Sequence, residues 1–82
     1  MRNTVVEFGE MLRIRRDLLG LLQPQLAAIA GVSTRTIQLI EGGKANPSLE
    51  TLFKIANSLG LSVKLELKGP VNDSIPTTDS LL

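Results

Sequence analysis

The chain has 82 residues and a net charge of only +1, and this length allows one domain with a single modest core. It contains no cysteine and no histidine, which excludes disulfides, the usual zinc sites and histidine acid–base chemistry. We therefore expect a protein that is not an enzyme and that has no metal or cofactor site. No apolar run approaches the ~20 residues of a membrane span and no signal peptide is evident, so we expect a cytoplasmic protein without membrane association.

Helical periodicity dominates the first half of the chain. Residues 5–19 predict a first helix, with apolar positions at Val5, Phe8, Leu12 and Leu19 and an end at Gly20. A second helix is predicted over roughly 23–30, because Pro24 lies in the first turn, where no intrahelical hydrogen bond is lost.

Two further helices follow. The third runs over roughly 33–41, with Ser33 as its N-cap and two glycines at its end. The fourth is predicted over about 48–59 and ends at Gly60. Its predicted buried residues are Leu49, Leu52, Phe53, Ala56 and Leu59.

The period changes after Gly60, because residues 61–68 alternate strictly between apolar and polar. A helix would scatter these apolar residues over two faces, so a half-buried strand is favoured. A lone strand leaves its backbone unpaired, which predicts pairing with the same segment of a second subunit across a twofold axis. The expected homodimer interface consists of Leu61, Val63, Leu65 and Leu67. Residues 69–82 are predicted to form a disordered tail.

Residues 23–44 contain the most informative pattern, two short helices joined by Gly31-Val32-Ser33. Apolar residues suited to a steep helix crossing are Leu26, Ala30, Val32, Ile37 and Ile40. The outer face of the second of these helices carries Thr34, Arg35, Gln38 and Leu39. A donor-rich face on such a helix is a candidate for reading base edges in the major groove of double-stranded DNA.

Individual roles on this face follow from side-chain chemistry. Arg35 is the leading candidate reader, because guanidinium to guanine is the commonest specific contact; a phosphate contact or simple exposure is the alternative. Gln38 suits adenine, whereas Leu39 can touch a thymine methyl group but cannot hydrogen-bond. Residues 1–68 hold nine basic and six acidic residues, a net charge of +3, which is compatible with DNA binding.

The sequence resembles the Xre group of phage-repressor and Cro-type DNA-binding domains over about residues 12–60. The residues that carry the resemblance are Gly20-Leu21, Gln23, Leu26-Ala27, Ala30-Gly31-Val32-Ser33, Thr36-Ile37, Ile40-Glu41-Gly42-Gly43-Lys44 and Asn46-Pro47-Ser48-Leu49-Glu50-Thr51-Leu52. The resemblance implies an all-α domain of four to five helices in residues 1–60, followed by the dimerisation strand.

Within that group, the appended strand and Arg15-Arg16 are most similar to antitoxins of the HipB type. This resemblance implies a dimeric repressor of its own operon that neutralises a HipA-like toxin kinase and works at the nucleoid. A stand-alone phage-repressor-like regulator and a protein-interaction scaffold remain as alternatives.

The resemblance also implies roles for single residues. Gln23 would grip a DNA phosphate at the start of the second helix, and Arg16 would form a structural ion pair with Glu41. Further phosphate contacts are expected from Ser33, Thr36, Lys44, Asn46 and Arg13. One departure is Leu22, which stands where the family usually places Thr or Ser as the cap of the second helix. The missing cap should lower the stability of the protein by about 1 kcal/mol.

Overall fold

The computed structural model describes residues 4–65 and 67 of the chain. In this part of the chain it contains four α-helices and no strand. The helices are α1 (Thr4–Leu18), α2 (Gln23–Ala30), α3 (Thr34–Glu41) and α4 (Leu49–Ser58). Each lies within one residue of the predicted bounds at either end, so the all-helical prediction is confirmed for the described residues.

The helix starts depend on local capping. Ser33 Oγ accepts a hydrogen bond from the Thr36 amide at 3.0 Å, and Ser48 caps α4 in the same way. Leu22 has no side-chain acceptor to offer at the start of α2. Instead the Leu22 amide donates to Gln25 Oε1 at 2.8 Å, which is one half of a capping box. The missing cap is therefore partly replaced by a glutamine three residues later.

All four helices end in the same way. A glycine with a positive φ follows each last turn, and the next amide reaches back to a carbonyl five residues earlier. At the end of α3, for example, Gly43 has a φ of 69° and the Lys44 amide donates to the Leu39 carbonyl at 2.9 Å. This arrangement satisfies carbonyls that the helix leaves open. It also makes the chain reverse abruptly, so consecutive helices pack with short connections.

The core forms where α2 packs against both α3 and α4, while α1 packs against α3. Its buried apolar residues are Leu12, Leu26, Ala27, Ala30, Ile37, Ile40, Leu52, Ile55, Ala56 and Leu59. The predicted core of α4 was wrong in part, because Leu49 and Phe53 are exposed and Ile55 is fully buried. The apolar stripe of α4 is wider than its contact with α2. Ile55 lies within that contact and is buried, whereas Leu49 and Phe53 lie outside it.

The apolar positions of α1 do not coincide with its buried side. Phe8 and Leu19 are exposed, and the buried residues of α1 are Gly9, Leu12 and Arg16. The reason is the close approach of α1 to the end of α3. A Cβ atom built on Gly9 would collide with the backbone oxygen of Ile40 and would lie 3.1 Å from that of Glu41. Backbone therefore packs on backbone at this point, which excludes every side chain.

The first half of the segment after α4 packs on the core, and its second half is exposed. Leu61 and Val63 are half-buried against the core of their own chain, whereas Leu65 is fully exposed and Leu67 is 53% exposed. Residues 61–65 and 67 belong to neither a helix nor a strand. The intersubunit strand and the dimer interface therefore stay predictions, with half of the predicted interface already used within one chain. The predicted tail, residues 69–82, lies outside the described residues.

Within the described part of the chain, no helix has the length and apolar character required to cross a bilayer.

Candidate nucleic-acid interface

The two faces of α3 have opposite characters. Ile37 and Ile40 are 1% and 2% exposed and fix the helix to the core. Arg35 and Gln38 are exposed on the other side, with Thr34 and Leu39 half-buried at its margins. The four predicted base-reading residues thus share one solvent-accessible surface on a helix whose position is set from behind. Such a helix can enter a groove without rearranging.

Unpaired positive charge is concentrated beside this surface. Among the described residues, Arg35 and Lys44 are the cationic side chains with neither an ion pair nor a hydrogen bond. Arg13 pairs with Asp17 at 3.2 Å, and Lys54 pairs with Glu50 at 3.4 Å. A cation that needs no release from a protein partner is the better candidate for a phosphate or a base. Arg13 is therefore the weakest of the predicted phosphate contacts.

The remaining phosphate candidates lie around the ends of α3. Asn46 and Lys44 are exposed in the connection from α3 to α4. At the other end of α3, the hydroxyl groups of Ser33 and Thr36 are 2.8 Å apart, and either oxygen can be the donor. Since Ser33 Oγ also accepts from the Thr36 amide, its cap role uses part of its hydrogen-bonding capacity but leaves the hydroxyl exposed.

A buried ionic network lies behind the start of α2. Arg16 Nε donates to Glu41 Oε2 at 2.7 Å, and Arg16 Nη2 donates to Glu41 Oε1 at 2.9 Å. The third nitrogen of the guanidinium, Nη1, donates to the Leu21 carbonyl at 2.7 Å. The hydrogen bonds that Arg16 donates to Glu41 raise the pKa of Arg16 above its usual range, against the opposing effect of burial. One side chain of α1 thus holds both the end of α3 and the connection to α2.

Gln23 joins this network, which the sequence did not predict. Its Nε2 donates to Glu41 Oε1 at 3.1 Å, so one N–H of its side-chain amide is bound in the buried network. Two other positions were also missed. Gly9 lies three and seven residues before Leu12 and Arg16, on one helical face, and this spacing could have marked it. Arg15 Nε donates to the Leu59 carbonyl at 2.9 Å, which ties α1 to the end of α4.

Comparison with known proteins gives a consistent family. A model of helix-turn-helix domains matches residues 12–65. A prophage-derived HTH-type transcriptional regulator of Bacillus subtilis, YonR, is 40% identical over 62 residues, which are 76% of this chain and 57% of that protein. An HTH-type transcriptional regulator of Methanocaldococcus jannaschii is 45% identical over 53 residues, which are 65% of this chain and 80% of that one.

A third regulator, from Haemophilus influenzae, is 42% identical over 50 residues, which are 61% of this chain and 51% of that protein. The chain therefore spans only a little more than half of the Bacillus and Haemophilus relatives. Among solved structures, the restriction-modification controller protein C.AhdI of Aeromonas hydrophila superposes with a TM-score of 0.68 and 34% identity. The match covers 71% of this chain and 88% of the controller.

Proposed function

Because this chain belongs to the helix-turn-helix family, we propose that it is a DNA-binding transcription regulator whose α3 reads base edges in the major groove. The observation that carries the proposal is the surface of α3, where exposed Arg35 and Gln38 stand on a helix anchored by two buried isoleucines. Arg35 on that surface and Lys44 in the connection after α3 are unpaired cations, so both the charge and the exposed helix face favour DNA.

The roles that we assign follow the predicted chemistry. Arg35 donates to guanine, Gln38 pairs with adenine, and Thr34 and Leu39 contact the flanking base edges. Lys44 and Asn46 contact the phosphate backbone from the connection after α3. The Ser33 and Thr36 hydroxyls contact the backbone at the start of α3, and Gln23 does so at the start of α2. Phosphate contacts of this kind fix the register of α3 in the groove.

We further propose that the regulator acts as a homodimer on a palindromic operator and represses transcription there. Eight residues of α3 offer few base contacts, so two copies spaced by one DNA turn, ~34 Å, would be required for useful specificity. The exposed leucines Leu65 and Leu67 support this, since they continue the alternating pattern beyond the residues that pack on their own chain.

The first test of the proposal is selection of duplexes from a randomised 20-base-pair library, followed by fluorescence anisotropy over a range of salt concentrations. If about six phosphates are neutralised per dimer, the slope of log K against log salt should be near −5. If Arg13 instead stays paired with Asp17 and contacts no phosphate, two contacts per dimer are lost and the magnitude of the slope falls to about 3.6. Failure to enrich any duplex, together with a slope near zero, would favour the protein-interaction scaffold.

We expect Arg35→Ala to weaken binding of the selected duplex by ~1–3 kcal/mol, so that its affinity approaches that for a scrambled duplex. The melting temperature of the protein should change little. Its side chain is exposed and unpaired, so its removal disturbs no contact of the folded domain. Lys44→Met is the matched comparison. A phosphate contact should weaken both duplexes equally and reduce the salt slope by about 0.9 per protomer. Equal losses on both duplexes for Arg35→Ala would show that it is a phosphate contact instead.

The dimer predicts that the double substitution of Leu65 and Leu67 by Glu lowers the mass measured by light scattering from that of two chains to that of one. These two leucines are chosen because Leu61 and Val63 also pack on their own core, where substitution would damage the monomer. Ile29→Glu is the control, since Ile29 is 60% exposed on α2 and lies outside the predicted strand. A double variant that keeps the mass of two chains would contradict dimerisation through this segment.

The antitoxin hypothesis is narrower than the regulator proposal. It rests on the resemblance to HipB-type antitoxins, whereas the relatives described above are named as transcriptional regulators and the similar solved structure is a restriction-modification controller. An antitoxin should form a complex of defined stoichiometry with a co-expressed HipA-like kinase and block its activity. A stand-alone regulator should bind its operator and leave such a kinase unaffected.

A further inference from the structure

One carboxylate connects the ionic core to the proposed DNA surface. Glu41 accepts two hydrogen bonds from Arg16 and one from Gln23, and its side chain is only 5% exposed. Gln23 is half-buried and is the first residue of α2. It is therefore the member of the network that extends from the ion pair towards solvent.

The contact fixes which way the amide points. An ionised carboxylate accepts hydrogen bonds and cannot donate them, so the NH₂ group of Gln23 must face Glu41. A flipped amide would place its oxygen against Glu41 Oε1, and two acceptors at the present 3.1 Å would repel each other. Glu41 cannot turn away to relieve this, because both its oxygens are held by Arg16. The amide is left with one N–H and its carbonyl oxygen for other partners.

This fixed donor lies in a helix start that has few others. Pro24 has no N–H, and the Leu22 amide is already used by the Gln25 side chain. The side-chain amide of Gln23 is thus an important donor in the first turn of α2 for any phosphate that approaches there. A side chain that is already held in its bound orientation loses less conformational entropy on binding.

We propose that Glu41 is a positioning residue for DNA binding, which holds the Gln23 amide with one N–H presented to a backbone phosphate. This inference rests on the proposed function and assigns Glu41 a role beyond its ion pair. A merely structural Glu41 would affect the stability of the domain, but it would leave the contribution of Gln23 to DNA affinity unchanged. The two roles can therefore be separated by measuring whether the two residues are coupled.

The experiment is a double-mutant cycle on the duplex selected by the native protein, at a temperature where melting curves show every variant folded. Gln23→Met should weaken binding roughly tenfold in the native background and less than twofold in the Glu41→Gln background. Gln38→Met is the matched control, because Gln38 belongs to the same proposed DNA surface but makes no described hydrogen bond to Glu41. Its loss of affinity should be the same in both backgrounds. Equal effects of Gln23→Met in both backgrounds would overturn the inference.

A second measurement covers the case in which Glu41→Gln does not fold. In the free native protein, ¹⁵N relaxation should give the Gln23 side-chain amide an order parameter of about 0.8, and that of Gln38 a value below about 0.6. Equal mobility of the two amides would overturn the inference as well. Failure of the native protein to enrich any duplex would instead refute the proposed function, and the inference with it. Additive effects with native binding intact would refute the positioning role alone.

Discussion

Gly9→Ala is expected to destabilise the domain by about 3 kcal/mol or more, enough to unfold much of it at 37 °C. In an exposed helix the same change would stabilise by up to about 1 kcal/mol, so the sign itself is informative. Here the new methyl group would collide with the backbone oxygen of Ile40 and crowd that of Glu41. Backbone oxygens cannot rotate away as side chains do, so α1 would have to separate from α3.

The measurement is urea unfolding followed by circular dichroism, with Gly42→Ala as the matched control. Gly42 has a right-handed φ of −80°, and a Cβ atom there would approach a backbone oxygen no closer than 3.2 Å. We therefore expect this control to change the free energy of unfolding by less than about 1 kcal/mol. A Gly9→Ala variant as stable as the native protein would show that α1 and α3 are further apart than described.

Arg16→Met is expected to cost about 3–5 kcal/mol, because it leaves the buried Glu41 carboxylate with Gln23 as its remaining described donor. Methionine keeps the apolar stem of the arginine, so the loss reports the charge and its hydrogen bonds. The pKa of Arg16 is raised from a value that already lies far above neutral pH. Its charge is therefore present in the folded and unfolded states throughout the neutral range, so titration of Arg16 gives the native protein's stability no pH dependence between pH 6 and 8.

The control is the double variant Arg16→Met with Glu41→Leu, which removes the buried charge together with its partner. Replacing both members of a buried pair by apolar residues is often close to neutral, so most of the lost stability should return. A double variant as unstable as Arg16→Met would attribute the loss to packing. DNA binding by the single variant should fall at least in proportion to its unfolded fraction, whereas Arg35→Ala should lose binding while folded.

The helices could be predicted from the sequence because their signals are local. Caps such as Ser33, proline in a first turn and glycines after the last turn act within a few residues, and the structure places the helix ends accordingly. The side of a helix that is buried depends on its partner, which is why Ile55 was missed in favour of Phe53. The apolar stripe of α4 is wide, and only the packing of α2 selects the part that is enclosed.

The same distinction separates what was and was not predicted at the candidate site. The exposed face of α3 follows from helical periodicity, so Arg35 and Gln38 could be identified from spacing alone. The contact between Gln23 and Glu41 joins residues 18 positions apart and depends on how α2 and α3 cross. Gly9 gives no apolar signal at all, because its role is to have no side chain. The alternation of apolar and polar residues after Gly60 was ambiguous. The same pattern is compatible with packing on the core of its own chain and with strand pairing to a second chain.

The division of α3 into an anchored side and a proposed reading side bears on how such a protein can diverge. Ile37 and Ile40 hold the helix, while Thr34, Arg35, Gln38 and Leu39 carry little of the packing. Under the proposed function, mutations at the four outer positions can therefore change which operator is recognised without first passing through unfolded intermediates. After gene duplication, two copies could acquire separate operators by drift on this face alone. The inner face would meanwhile stay under purifying selection, so evolutionary rates should differ sharply between neighbouring residues of one eight-residue helix.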